Sequence, residues 1–195
     1  MAGSLVLATR NPHKLVEVTR LLAPEGLAVT ALADHVTLPP EDGATFADNA
    51  LPKARTAAAA TGRPAIADDS GIEARALQGR PGVRSARYAG PRASDEENLL
   101  KLISEVPAGS GLRYVCALAY VDPGTGVERL FFGACEGAMA PQRRGTRGFG
   151  YDPVFIADEL GDGRTMAELS ESEKDAISHR GRAVRQLVAW LREST

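Results

Sequence analysis

The sequence predicts an α/β fold organised around a mixed β-sheet, and three patterns predict it. Short apolar runs of strand length alternate with helix-patterned segments. Two longer apolar runs, 114–121 and 127–134, flank a Pro-Gly turn at 122–126 and read as a β-hairpin. Strands interleaved with helices, plus a hairpin, give a sheet with both parallel and antiparallel pairs. No segment repeats and no loop is long enough to be a clear linker, so a single domain over 1–195 is expected.

Each element has a local reason. Residues 5–9 read as a buried strand. Asn11-Pro12 then supplies an N-cap and a first helical residue, and Leu15, Val18 and Leu22 fall on one helical face. A strand is expected over 27–32. The segment 45–61 is mostly helical, with Thr45 and Asp48 at capping-box spacing. Pro52 interrupts it. A proline in a helix interior costs about 3 kcal/mol, so an irregular first turn or a late start is expected. Residues 65–68 form a short strand and 73–77 another. Ser94 and Glu97 form a second capping box ahead of Leu99, Leu100 and Ile103. A short strand at 154–156 and a helix over 180–192 complete the chain, the helix presenting Ala183, Val184, Leu187, Val188 and Leu191 inward.

Bulk composition excludes several classes of function. Lys and Arg total 23 against 25 acidic residues, a formal charge of −2, so no broad basic field draws the chain to nucleic acid or an anionic membrane. No apolar run reaches the length of a membrane span, and no signal-peptide pattern precedes the first strand, so a cytoplasmic protein is expected. The two cysteines, Cys116 and Cys135, lie in apolar strand-like segments without zinc-ligand spacing and read as buried thiols.

The most informative stretch is Asp68-Asp69-Ser70-Gly71, after the apolar run Ala65-Ile66-Ala67. Adjacent carboxylates repel, and burying either is costly unless a cation or donors offset it. A hard cation such as Mg²⁺ offsets both and marks a phosphate-handling site. Gly71 is expected to turn the backbone sharply, placing the acids at the mouth of a cleft. Asp, Ser and Gly also make ordinary surface turns.

Five other constellations accompany it. Thr9-Arg10-Asn11-Pro12-His13-Lys14 lies where a strand meets a helix, a natural anion site, although Asn11 also serves as a plain cap. Glu41 and Asp42, with Lys53 beyond them, are solvated charges or the completion of a metal site with Asp68 and Asp69. Gly148-Phe149-Gly150-Tyr151-Asp152 lets an aromatic ring project from a tight backbone, to stack on a nucleobase or to fill a core. Lys174 and Ser178-His179-Arg180 carry donors suited to carbonyl and phosphate oxygens. Arg84 and Arg87, three apart, form a basic wall or sit in solvent. No Ser/His/Asp nucleophile pattern stands out.

Taken in order, these pieces resemble the inosine/xanthosine triphosphate pyrophosphatase family. The resemblance rests on 8–14, 45–54, 66–71, 79–88, 148–153 and 167–180, nearly the whole length. It implies an elongated central mixed β-sheet flanked by helices, two lobes with a cleft between them, and a homodimer. The implied reaction is hydrolysis of ITP, dITP or XTP to the monophosphate and pyrophosphate, with Mg²⁺. By motif position, Thr9, Arg10, Asn11, Pro12, His13 and Lys14 hold phosphates, with Lys53 as one more phosphate-facing cation. Asp69 is the catalytic base and, with Glu41, a metal ligand; Asp68 is a supporting carboxylate. Ser70 contacts substrate. Phe149, Gly150, Tyr151 and Asp152 shape the base pocket, and Lys174, His179 and Arg180 read the 6-oxo purine. Arg10 stands where many members carry glycine, and Asp48 replaces a more usual Glu. Two rival readings remain: a nucleotide-binding sensor that does not hydrolyse, and a pyrophosphatase for other modified-base triphosphates.

Overall fold

The structure is a computed structural model and describes residues 3–194. Its six strands lie in one sheet of order β2-β1-β3-β4-β5-β6. β1 (Gly3–Leu7) runs parallel to both β2 (Leu27–Ala31) and β3 (Ala65–Ala74). β4 (Gly111–Asp122) and β5 (Val127–Met139) are the expected hairpin, longer than the sequence indicated, closed by Gly126 N–H donating to the Asp122 carbonyl. β6 (Phe155–Ala157) pairs antiparallel with β5. Among the described residues no helix is long and apolar enough to cross a membrane.

The helices start where their caps place them. α1 (Pro12–Leu22) opens on Asn11, whose side chain accepts from His13 N and Lys14 N. α2 (Phe46–Thr61) opens on the Thr45/Asp48 capping box, and α3 (Asp95–Glu105) on that of Ser94 and Glu97. On α3 the inward residues are Leu99 and Leu102, while Leu100 and Ile103 are exposed. α5 spans His179–Glu193. α4 (Glu171–Ile177) has no counterpart in the sequence reading, although Ser170 and Glu173 make another capping box of the same kind. Arg84 and Arg87 lie on a short 3₁₀ segment, Gly82–Arg87.

The expectation that Pro52 would delay or distort α2 is not met: the helix begins at Phe46 and carries Pro52 inside it. Buried Phe46, Asn49, Ala50, Lys53, Ala54, Ala57 and Ala58 hold this helix by one face, so packing outweighs the local penalty.

A larger correction concerns Asp68 to Gly71. They are not a turn at a strand end but the middle of β3, which continues to Ala74; the strand expected at 73–77 is its last part, followed by a 3₁₀ turn, Arg75–Leu77. Gly71 is glycine for space rather than for turning. A Cβ there would collide with Ser85 Oγ and the Gly82 carbonyl oxygen. Ser85 Oγ also accepts from Ile72 N at 2.8 Å, so this close approach ties the 3₁₀ segment to the strand.

The chain divides into two compact units. The first holds the residues up to Asp69, Cys116–Gly133 and those from Arg180 on; the second holds Ser70–Val115 and Ala134–His179. The core of the first is built from Leu5, Leu7, Val18, Leu22, Ile66, Leu118, Ala183, Val184 and Leu187 among others. The core of the second gathers Ile72, Leu99, Leu102, Leu112, Tyr114, Phe155, Met166 and Leu169. Cys116 and Cys135 are buried thiols, one in each unit.

Gly71→Ala is expected to lower unfolding free energy by about 1–3 kcal/mol, the usual range for overpacking a filled site. Urea denaturation checks this, and a wild-type midpoint would refute the close-packing account.

Candidate active site

In the first unit, β3 carries two buried carboxylates into different surroundings. Asp68 is wholly buried. Its Oδ2 lies 3.1 Å from Lys14 Nζ and accepts from Arg180 Nε at 3.2 Å and Nη2 at 3.0 Å. Arg180 in turn pairs through Nη1 with Glu17, itself buried on α1. Burial alone would raise the Asp68 pKa, but Lys14 and Arg180 outweigh it and hold the carboxyl far below the usual range. Asp69 accepts from Asn49 Nδ2 at 2.8 Å. Its pKa is pushed up, chiefly by burial with Glu41 adding to it, against the opposing pull of Lys53 and Lys14.

Lys53 links the two sides. Its Nζ donates to Glu41 Oε1 at 2.5 Å and to the Asp68 carbonyl at 2.7 Å. Burial would raise Glu41, yet the Lys53 contact brings it below its ordinary value. Asn49 and Glu17 carry no assigned role in the sequence alone. Spacing held both signals: Asn49 is four residues before Lys53 and Glu17 three after Lys14, each pair on one helical face. Asn49 Oδ1 also accepts from Gly43 N at 2.8 Å, fixing the loop that carries Glu41.

These groups comprise Lys14, Lys53 and Arg180 against Glu17, Glu41, Asp68 and Asp69, so carboxylate is in excess. The excess falls on Asp69, the group whose ionisation burial opposes. Among the described residues no cluster of three or more His, Cys, Asp or Glu side chains forms a metal cage. A hard divalent cation such as Mg²⁺ is commonly held by one or two carboxylates plus substrate phosphates rather than by a full protein cage.

The strand–helix junction is arranged differently from a bare anion cradle. Thr9 Oγ1 accepts from Asn11 N at 3.1 Å, and Asn11 Oδ1 takes His13 N at 2.9 Å and Lys14 N at 3.3 Å. Pro12 has no N–H to offer. Attraction for a phosphate therefore rests on Lys14 and the helix dipole. The Arg10 side chain turns to the loop after β2, donating to the carbonyls of Leu32 at 2.8 Å, Ala33 at 3.0 Å and Val36 at 2.6 Å.

The second unit gathers most of the residues expected at the base. Gly148 and Gly150 have φ of +72° and +61°, the left-handed region, which puts half-buried Phe149 on a tight bend. Asp152 is buried and accepts from Lys174 Nζ at 2.6 Å, Phe149 N at 3.0 Å and Tyr114 Oη at 3.1 Å. Lys174 Nζ stands 5.1 Å from the Phe149 ring centroid. Tyr151 donates to the Ser85 carbonyl at 2.7 Å and so supports the wall of the site. His179 is buried, and Ser70 is half-buried in β3. Arg180, expected beside Lys174 and His179, has its guanidinium with Asp68 and Glu17 in the first unit.

Arg180→Met is expected to destabilise the protein by about 3–5 kcal/mol, because it leaves buried carboxylates without their partner. The Asp68 contribution has a defined pH sense. A depressed native pKa gives stability that is complete above about pH 4 and drains away only as pH falls further. Urea denaturation of both proteins at pH 7 tests the magnitude, and a wild-type midpoint for the variant would contradict the network.

Comparison with known proteins places the chain. The Ham1 family profile matches residues 5–190. A dITP/XTP pyrophosphatase of Frankia alni is 50% identical, with 97% of each chain covered. One of Yersinia pseudotuberculosis is 47% identical over 97% of this chain and 98% of its own. A HAM1 protein structure from Coxiella burnetii superposes with a TM-score of 0.84 at 40% identity, covering 99% of this chain and 100% of that one. A nucleoside-triphosphatase (dITP/XTP pyrophosphatase) from Mycobacterium abscessus gives 0.72 at 42% identity, covering 94% and 98%. With buried carboxylates on β3, a cationic junction after β1 and a match over nearly its whole length, the chain belongs to the Ham1 family.

Proposed function

We propose that this chain hydrolyses dITP, ITP and XTP to the monophosphate and pyrophosphate. The observation that carries the reading is Asp69, a buried carboxylate beside Lys53, Lys14 and Glu41 whose ionisation burial opposes. Such a group is a ready proton acceptor. The names of the relatives support the substrate class. Both units form one catalytic domain in this reading, over 1–195.

Asp69 orients the attacking water and takes its proton as the bond between the α- and β-phosphates breaks. Lys14 and Lys53 offset phosphate charge, with Thr9 to His13 lining the approach and Ser70 touching substrate. Asp68 is a fixed anchor that sets Lys14. Glu41 and Asp69 would hold Mg²⁺, which when bound neutralises triphosphate charge and polarises phosphorus. Phe149 stacks on the base, Gly150, Tyr151 and Asp152 shape its pocket, and Lys174 and His179 aim donors at the 6-oxo group. Arg180 contributes through Asp68. An adenine amino group would face those donors with a donor of its own, leaving them unpaired at about 1–3 kcal/mol each. The family resemblance extends the reading to a homodimer in the cytoplasm, a state that light scattering on the purified protein addresses.

The test is pyrophosphate release from ITP, dITP, XTP, GTP, ATP and dUTP, with Mg²⁺ and after chelation. Release is expected from the first three only, and only with metal. Asp69→Asn should stay folded by circular dichroism and lose roughly 10²–10⁴-fold in rate, the usual worth of a positioned base. A folded, Mg²⁺-replete protein that binds ITP without releasing pyrophosphate would make it a sensor. Preference for dUTP would move the reading to other bases.

A further inference from the structure

Tyr114 belongs to none of the motifs singled out above, yet it touches a residue of each of the two motifs assigned to the base, Asp152 and His179. It sits on β4 and is buried. Its hydroxyl donates to Asp152 Oδ1 at 3.1 Å, while Asp152 Oδ2 takes Lys174 Nζ at 2.6 Å and Phe149 N at 3.0 Å. Its ring lies flat against the His179 imidazole, centroids 4.6 Å apart and planes 7° from parallel. Phe155 backs it at 4.5 Å and 33°. All these residues belong to the second unit.

A phenylalanine would fill the same core space and keep the stacking. The hydroxyl is therefore not required by packing, and a buried phenol is retained where its O–H has a partner. Here the partner is the carboxylate that sets the Lys174 ammonium, a flexible group whose direction its acceptor decides. The same ring sets the tilt of the His179 imidazole.

We infer that Tyr114 is a positioning residue for base discrimination, holding Asp152 and thereby Lys174 with its hydroxyl, and His179 with its ring. The inference rests on the function proposed above, in which Lys174 and His179 read the 6-oxo group. Tyr114 touches no substrate in this account. It keeps two donors aimed so that a 6-oxo base is accepted and a 6-amino base refused.

Two substitutions separate the two contacts. Tyr114→Phe removes only the hydroxyl, and Tyr114→Leu removes the ring as well. In steady-state assays, Tyr114→Phe is expected to raise KM for ITP about tenfold, the worth of one hydrogen bond to a charged group, with kcat within about twofold. The ITP-to-ATP ratio of kcat/KM should fall by a similar factor. By NMR, the His179 ring protons should keep their ring-current shift in Tyr114→Phe and lose it in Tyr114→Leu. A purely structural role would reduce turnover of every nucleotide alike and leave that ratio unchanged. The inference is overturned if Tyr114→Phe keeps the wild-type KM and ITP-to-ATP ratio, or if the His179 signals are the same in all three proteins. Should wild type release no pyrophosphate from ITP, the proposed function fails, and the His179 signals alone decide what Tyr114 holds.

Discussion

A carboxylate buried in the middle of a sheet is tolerable only when cations reach it, and Asp68 draws them from two distant segments. Lys14 comes from the first helix and Arg180 from the last, 112 residues away along the chain. Arg180 is equally buried and requires Glu17 for its own balance. The four charges form one chain of contacts, Lys14 to Asp68 to Arg180 to Glu17, that fastens α1, β3 and α5 together. Such networks add little net stability over an apolar core, because desolvation consumes most of the Coulombic gain. What this one supplies is position. Lys14 is held where the first helix begins, and β3 cannot slip by one residue without expelling Asp68 from its partners.

That register decides the chemistry of the next residue. Adjacent side chains of a strand face opposite sides of the sheet. Asp68 faces the groups of α1 and α5, and Asp69 meets Asn49 of α2. The topology requires the two helices to lie apart. The chain steps from β1 to β2 on one side and returns past β1 to β3, and right-handed crossovers in opposite directions put α1 and α2 on opposite faces. The reversal between β1 and β3 is a topological switch point, where α/β sheets open a crevice at the ends of their strands. The carboxylate pair that looks self-repelling in sequence is thus split across the sheet. One member is saturated with cations and the other keeps an environment that disfavours its charge.

Local chemistry made much of this legible and long-range pairing hid the rest. Asn11 before Pro12, the capping boxes at Thr45 and Ser94, and the hairpin about Asp122 to Gly126 act within a few residues, and each appears as written. From sequence alone Asp68 to Gly71 looks like a turn at the end of a strand, because Asp, Ser and Gly favour turns. The strand persists because Arg180, Lys14 and the Ser85 contact at Gly71 come from elsewhere in the chain. Arg180 shows the same limit. Its neighbour His179 lies in the second unit beside Tyr114, whereas Arg180 itself turns to Asp68, and no local pattern tells adjacent residues apart in this way. Tyr114 was invisible for a plainer reason: inside an apolar strand, a tyrosine with a function has the same pattern as one that only packs.

The second unit repeats the logic of the first. Distinguishing a carbonyl from an amino group needs donors that stay where they are aimed, and a lysine on four methylenes does not do so unaided. Asp152 is the fixed point, buried and engaged by an ammonium, a backbone N–H and a phenol. Gly148 makes room for it, since a Cβ at that position would strike Asp152 Oδ2. In each unit, then, one buried carboxylate is held by charged or polar donors and orients those neighbours. Asp68 sets Lys14 and Arg180, and Asp152 sets Lys174 and the backbone under Phe149. This arrangement sets Asp69 apart as the carboxylate of the first unit whose pKa burial pushes up against the pull of Lys53 and Lys14.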